Sequence, residues 1–308
     1  MSSGSYGCGV NGISMRHSQT QTPSVYLDYA SSHVPRNFAD AIDWSEHVFT
    51  LTDELGDGLK KLYGHFLTPL QSVNITEKDI QEADIQHEQK MQLMLEQQLD
   101  YPGHAFQVGL NTAVYGNDFV TATLAHTRQV VCKTCKTSVA LKDTPQAKQL
   151  RLKFDGDQFV GSCINPGCSA YTKSQGMDYM DTVQRDASSI IVKHWPIREL
   201  EFDYREARDK LQVYWRIPNR VKQLVDKNDL MTLHDYDFSI LQAAKKDKLF
   251  LFNDSVLFHA KHPTLSGLLV QGLGLPRTLL HARPHWLLQL LNKQCQVIAN
   301  SYVNPIPF

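Results

Sequence analysis

The sequence is short of several things at once. No stretch of about eighteen apolar residues occurs in its 308 positions, so no membrane-spanning helix is expected. Charge of one sign is not in excess: 31 Lys and Arg face 32 Asp and Glu, a net charge of -1. A protein that coats nucleic acid by bulk electrostatics would be more basic. The first residues, "MSSGSYGCGVNGISMRHSQTQTPS", lack the apolar core of a secretory signal and read as a polar arm. There is no His-Glu-x-x-His spacing, and "QGLGLP" lacks the strand and helix that a phosphate-binding glycine loop requires. No nucleophile, base and orienting group form a defensible set, so no catalytic residue is assigned and the chain is expected not to be an enzyme. Internal repeats and long low-complexity tracts are also missing.

Cysteine is scarce too, with six in the chain, yet four of them stand in two tight pairs. "VCKTCKTS" carries Cys132 and Cys135, and "GSCINPGCSA" carries Cys163 and Cys168. Cys8 and Cys295 lie far away in sequence. In the reducing cytosol expected for a chain without a signal peptide, paired cysteines hold metal more often than they form disulfides. A C-x2-C turn presents two thiolates to one ion. The second turn is a longer C-x4-C, bent by Asn165, Pro166 and Gly167. "KTSVALKD" and "LRLKFDGDQFVGS" read as strands between them, the layout of a zinc ribbon. Cys132, Cys135, Cys163 and Cys168 are therefore the expected ligands of one Zn²⁺. Four thiolates leave no open position for water, so its role is expected to be structural. Lys133, Lys136, Lys142, Lys148, Arg151 and Lys153 make the segment basic, either as a solvated face or as a nucleic-acid contact.

The rest reads as mixed helix and strand. Residues 37–67 have apolar positions on one helical face, with an interruption expected near Gly56 and Gly58. Thr76 is read as the N-cap of a long helix. A helix then runs into Gly116-Asn117, where the pattern switches to strand-like alternation through "DFVTATLAHTRQVV". "SSIIVKHWPIRELEFDY" and "KLQVYWRIP" read as two strands about a turn at 205–209, followed by a short helix in "PNRVKQLVDKND". Two short strands flank Asn253-Asp254, and a final helix is expected from about Pro284 to Tyr302. His65, His104, His259 and His262 read as surface or core histidines, and Trp195, Trp215 and Trp286 as core.

Taken in order, "LNTAVYGNDFVTATLAHTR", "VKHWPIRELEFDYREARDKLQVYWRIP" and "LFLFNDSVLFHAKHPTLSGLLVQGLGLPRTLLHARPHWLLQLL" resemble the wing region of tailed-bacteriophage portal proteins. The shared features are a helix into a Gly-Asn strand, a Val-Leu-Phe-His strand, a Gly-Leu-Gly-Leu-Pro turn and a helix. The resemblance spans about residues 40–308. It implies an α+β fold, with portal-like wing helices on a mixed or antiparallel sheet and the four-Cys ribbon inserted. The expected division is a 1–35 arm, a 36–127 helical wing part with the first strand, a 128–172 ribbon, and a 173–308 remainder that ends before the family's stem. The resemblance also implies a structural virion protein, truncated or split. It would form a dodecameric ring at one capsid vertex that passes double-stranded DNA. Its partners would be its own copies, the major capsid protein, the terminase and tail or adaptor proteins. It would reside in the virion, and in the host cytoplasm during assembly. The alternative from the cysteines alone is a zinc-ribbon nucleic-acid-binding protein of phage replication or transcription.

Overall fold

The computed structural model describes residues 38–51, 53–67, 89–142, 144–171, 173–185, 189–262, 272–278 and 291–296. The fold is mixed, with helices, antiparallel strand pairs and the four paired cysteines close together. The chain divides into two compact units. One comprises residues 1–120, 202–211 and 258–308, the other 121–201 and 212–257.

In the first unit, α1 (Phe38–Leu51) buries Phe38, Ala41, Ile42, Ser45 and Val48. Spacings of three and four residues place these on one stripe. A second helix, α2, covers Asp53–Gly64. The interruption is therefore not at Gly56 and Gly58, which both lie inside α2. Packing of α2 against α1 and α3 (Tyr101–Tyr115) outweighs the low helix propensity of glycine. The long helix expected from Thr76 lies largely outside the described residues; its end is helical and closes with a π turn, Met94–Gln98. α3 stops at Gly116, whose φ of 76° is left-handed, and β1 (Asn117–Leu124) begins at once. The expected C-terminal helix is described only over residues 291–296, which are helical; Trp286 lies outside the described residues.

The second unit is built on a five-stranded sheet in the order β3-β2-β6-β5-β4. Its strands are β2 (His126–Cys132), β3 (Ser138–Ala140), β4 (Lys153–Phe154), β5 (Phe159–Gly161) and β6 (Gln175–Val183). The central β2–β6 pair is antiparallel from His126 opposite Val183 to Cys132 opposite Met177. A helix not expected from sequence, α4 (Thr144–Gln149), lies between β3 and β4. The stretch expected to be one strand at 188–204 is two, β7 (Ile190–His194) and β8 (Leu200–Arg205). Pro196, which has no N–H to donate, stands between them at the start of a 3₁₀ turn. β9 (Lys210–Trp215) follows a tight turn at 206–208. Then come α5 (Asn219–Asp226), α6 (Leu230–Asp235) and α7 (Phe238–Lys245), the last two also unforeseen. β10 (Phe250–Leu251) and β11 (Leu257–Lys261) flank the Asn253 turn but join different sheets, β10-β9-β8 and β11-β1-β7.

Two features fix the sheet of the second unit. Phe154, Phe159 and Tyr179 gather on Phe238 of α7, with Tyr179 stacked on it at 4.4 Å. Arg128 of β2 is wholly buried. Its Nε and Nη2 donate to both oxygens of Asp181, at 2.8 and 2.6 Å, and Nη1 donates to the carbonyls of Leu233 and Tyr236, both at 2.8 Å. Trp195 and Trp215 are core residues, as expected, with their rings 4.7 Å apart. Among the described residues, no helix is long and apolar enough to cross a membrane.

Candidate metal centre

β2 ends at Cys132, and the chain turns back through Cys135 into β3. The Cys132 N–H bonds to the Thr137 carbonyl, and the Lys136 N–H to the Cys132 carbonyl. Lys136 takes a left-handed φ of 59° to close this turn. The second turn follows β5. Asn165 Oδ1 accepts from the Gly167 N–H at 3.0 Å, and the Asn165 carbonyl accepts from the Cys168 N–H. The Asn-Pro-Gly bend read from sequence is thus the device that folds Cys168 back onto Cys163.

The two turns meet. All four sulfurs lie within 4.8 Å of one another, with Cys132 to Cys168 at 3.9 Å and Cys135 to Cys163 at 3.4 Å. Four sulfurs about 2.3 Å from a tetrahedral ion would stand about 3.8 Å apart, so the set fits one four-coordinate metal. Cys132, Cys163 and Cys168 are buried, together with Ala170, and Cys135 is half-buried. The four ligands expected from sequence are the four brought together.

Donors that the sequence did not point to surround the sulfurs. Gln175 Nε2 lies 3.2 Å from Cys132 Sγ. Backbone N–H groups of Asn165 and Ala170 point at Cys163 and Cys168, at 3.4 and 3.5 Å. The Thr137 hydroxyl is 3.1 Å from Cys135 Sγ. Such donors stabilise thiolate and orient it. The Thr137 hydroxyl and backbone bring the Cys135 pKa down to about 6. Burial pushes Cys163 up to about 12. A metal bound here would displace the Cys163 proton. Cys pairs with two and four intervening residues announce the ligands; nothing in the sequence announces Gln175, which arrives from β6.

The other candidates separate clearly. Lys133 and Lys136 both face Asp178, at 3.7 and 4.0 Å, exposed pairs of little energetic weight. His126 and His234 stack in the second unit with ring centroids 5.9 Å apart. Among the described residues they form no group with a third metal-ligating side chain. His259 is half-buried, stacked on Phe119 at 4.3 Å.

A second constellation lies in the first unit. Asn117 Nδ2 donates to the Gly274 carbonyl at 2.8 Å, and Asn117 Oδ1 accepts from the Gly274 N–H at 2.7 Å and from His259 Nε2 at 2.9 Å. The His262 N–H bonds to the Gly116 carbonyl at 2.8 Å. A Cβ on Gly116 would stand 2.5 Å from the Gly274 carbonyl oxygen, and one on Gly274 would stand 2.1 Å from the Gly116 carbonyl oxygen. Neither position has room for a side chain. Beside them, Ser45 Oγ bonds to Thr278 Oγ1 and to the Val114 carbonyl.

No protein-family model matches the chain, and searches of curated proteins and of solved structures found no match.

Proposed function

We propose that the chain is a non-catalytic assembly protein of the portal type, one subunit of a ring at a bacteriophage capsid vertex through which duplex DNA passes. The observation that carries this reading is the clamp of Gly116 and Asn117 on Gly274. The portal resemblance rests on stretches far apart in sequence, and Asn117 and Gly274 are separated by 157 positions. Here they interlock through backbone and a buried side chain, and β11 lies next to β1 in one sheet. Their meeting supports reading them as parts of one wing. A ring closed by head-to-tail contacts needs subunits whose two faces stay in fixed relation, and a rigid clamp serves that need.

In this reading the metal is a structural Zn²⁺ held by Cys132, Cys135, Cys163 and Cys168. It staples two turns that bury little apolar surface of their own. Copies of the same chain, the major capsid protein, the terminase and tail or adaptor proteins are the partners. The virion is the location, after assembly in the host cytoplasm.

The test is the assembled mass and shape. The protein is purified after nuclease treatment, at low and at high protein concentration, then imaged by negative-stain electron microscopy. Closed rings of about a dozen subunits, independent of nucleic acid, support the portal reading. A species that stays monomeric in both preparations and binds nucleic acid with a steep salt dependence rejects it in favour of the zinc-ribbon nucleic-acid-binding reading.

A further inference from the structure

Beside the second cysteine turn lies a groove of about 760 Å³. Among the described residues, Lys148, Arg151, Ser162, Ile164, Tyr171 and Ser174 line it, and no acidic side chain does. We propose that this groove binds a single-stranded nucleic-acid segment, its phosphates on Lys148 and Arg151 and a base on Tyr171. The inference stands on the groove alone and does not depend on the ring reading.

The walls are built, not draped. α4 ends in a turn in which the Arg151 N–H bonds to the Lys148 carbonyl at 3.2 Å. The Leu150 carbonyl accepts both the N–H and the hydroxyl of Ser162, at 2.8 and 3.2 Å. Leu150 and Leu152 are buried on either side, so Arg151 between them is turned outward. Arg151 itself has a left-handed φ of 46°, a costly conformation for a residue with a Cβ. The Tyr171 N–H bonds to the Cys168 carbonyl, which ties its backbone to the second cysteine turn.

The chemistry is that of a phosphodiester with a base. Lys133 and Lys136 face Asp178, whereas Lys148 and Arg151 have no ion-pair partner among the described residues. The side chain of Tyr171 is 47% exposed and stacks on no other ring among the described residues. An open aromatic face in one groove with unpaired cations takes an unpaired base, and the stacked, paired bases of a duplex cannot reach it. Ser162 and Ser174 add hydroxyl donors for phosphate or sugar oxygens.

The experiment is fluorescence anisotropy with a labelled oligothymidylate, titrated at several potassium chloride concentrations. Two cations on two phosphates give a log–log salt slope of about -1.4. Lys148→Gln/Arg151→Gln should remove that slope while the metal content stays unchanged, since neither residue is one of the four sulfur ligands. Tyr171→Ala should weaken binding about 5- to 150-fold, and Tyr171→Phe should retain it. Three results overturn the proposal. One is no binding by the unaltered protein at the lowest salt, and another is a slope unchanged in the double variant. The third is tripolyphosphate or a matched duplex bound as tightly as the single strand with Tyr171→Ala without effect, which would make the groove a simple anion site.

Discussion

Arg128→Met tests whether the cysteine-bearing sheet is fastened to its helices by one buried cation. Arg128 is completely buried, and its Asp181 partner keeps a side-chain exposure of 28%. On loss of the guanidinium, the Asp181 carboxylate can turn to water, so its share of the loss is small. The carbonyls of Leu233 and Tyr236 have no such escape, each having accepted from Nη1 at 2.8 Å. A hydrogen bond to a charged group is worth about 1.5–3 kcal/mol, and breaking a buried ionic network about 3–5 kcal/mol in all. Methionine keeps most of the apolar stem, so cavity formation adds little. With a urea m-value of about 2 kcal/mol/M, the unfolding midpoint of the second unit should fall by about 1.5–2.5 M. The metal should stay, because Cys132 lies at the far end of β2. Urea titration followed by far-UV circular dichroism, with metal analysis of the same sample, reads both. A loss under 1 kcal/mol, the size of an exposed ion pair, or a loss of metal in the folded variant, would refute the reasoning.

Three further outcomes are expected. Protein purified without chelator should carry about one zinc per chain by elemental analysis, and Cys132→Ser should lose it, with hydrogen exchange rising first in the turns at 132–137 and 163–171 and last around Arg128 and Tyr179. Asn117→Ala leaves the Gly274 N–H and carbonyl and the His259 ring without their partner, so the first unit should lose about 3–5 kcal/mol in a thermal or urea melt. Burial, helped by the charge of Lys261, lowers the His259 pKa to about 4. The unfolded chain then takes up this proton first, so the first unit should be fully stable above about pH 6.5 and lose stability at up to about 1.4 kcal/mol per pH unit as pH falls towards 4; His259→Gln should flatten that slope.

Some of this was written locally. The two-residue spacing of Cys132 and Cys135 puts two sulfurs on one turn whatever surrounds them, and Asn165-Pro166-Gly167 can hardly do anything but bend. The switch from α3 to β1 sits at Gly116 because a left-handed residue ends a helix, and glycine is the residue that takes that conformation freely. What the sequence could not decide was which distant segments would meet. β6 reads as polar and glycine-containing, "QGMDYMDTV", and six of its nine residues are exposed. It is nonetheless a central strand, because β2 on one side and β5 on the other satisfy its backbone. Nothing local marks Arg128 as a buried anchor; Asp181 and two helix-end carbonyls, brought around it by the fold, make it one. The four sulfurs themselves become one site only because the β2–β6 and β5–β6 pairings bring the end of β2 beside the turn that follows β5. Spacing chooses the ligands, and non-local backbone pairing, which no local propensity encodes, makes the centre.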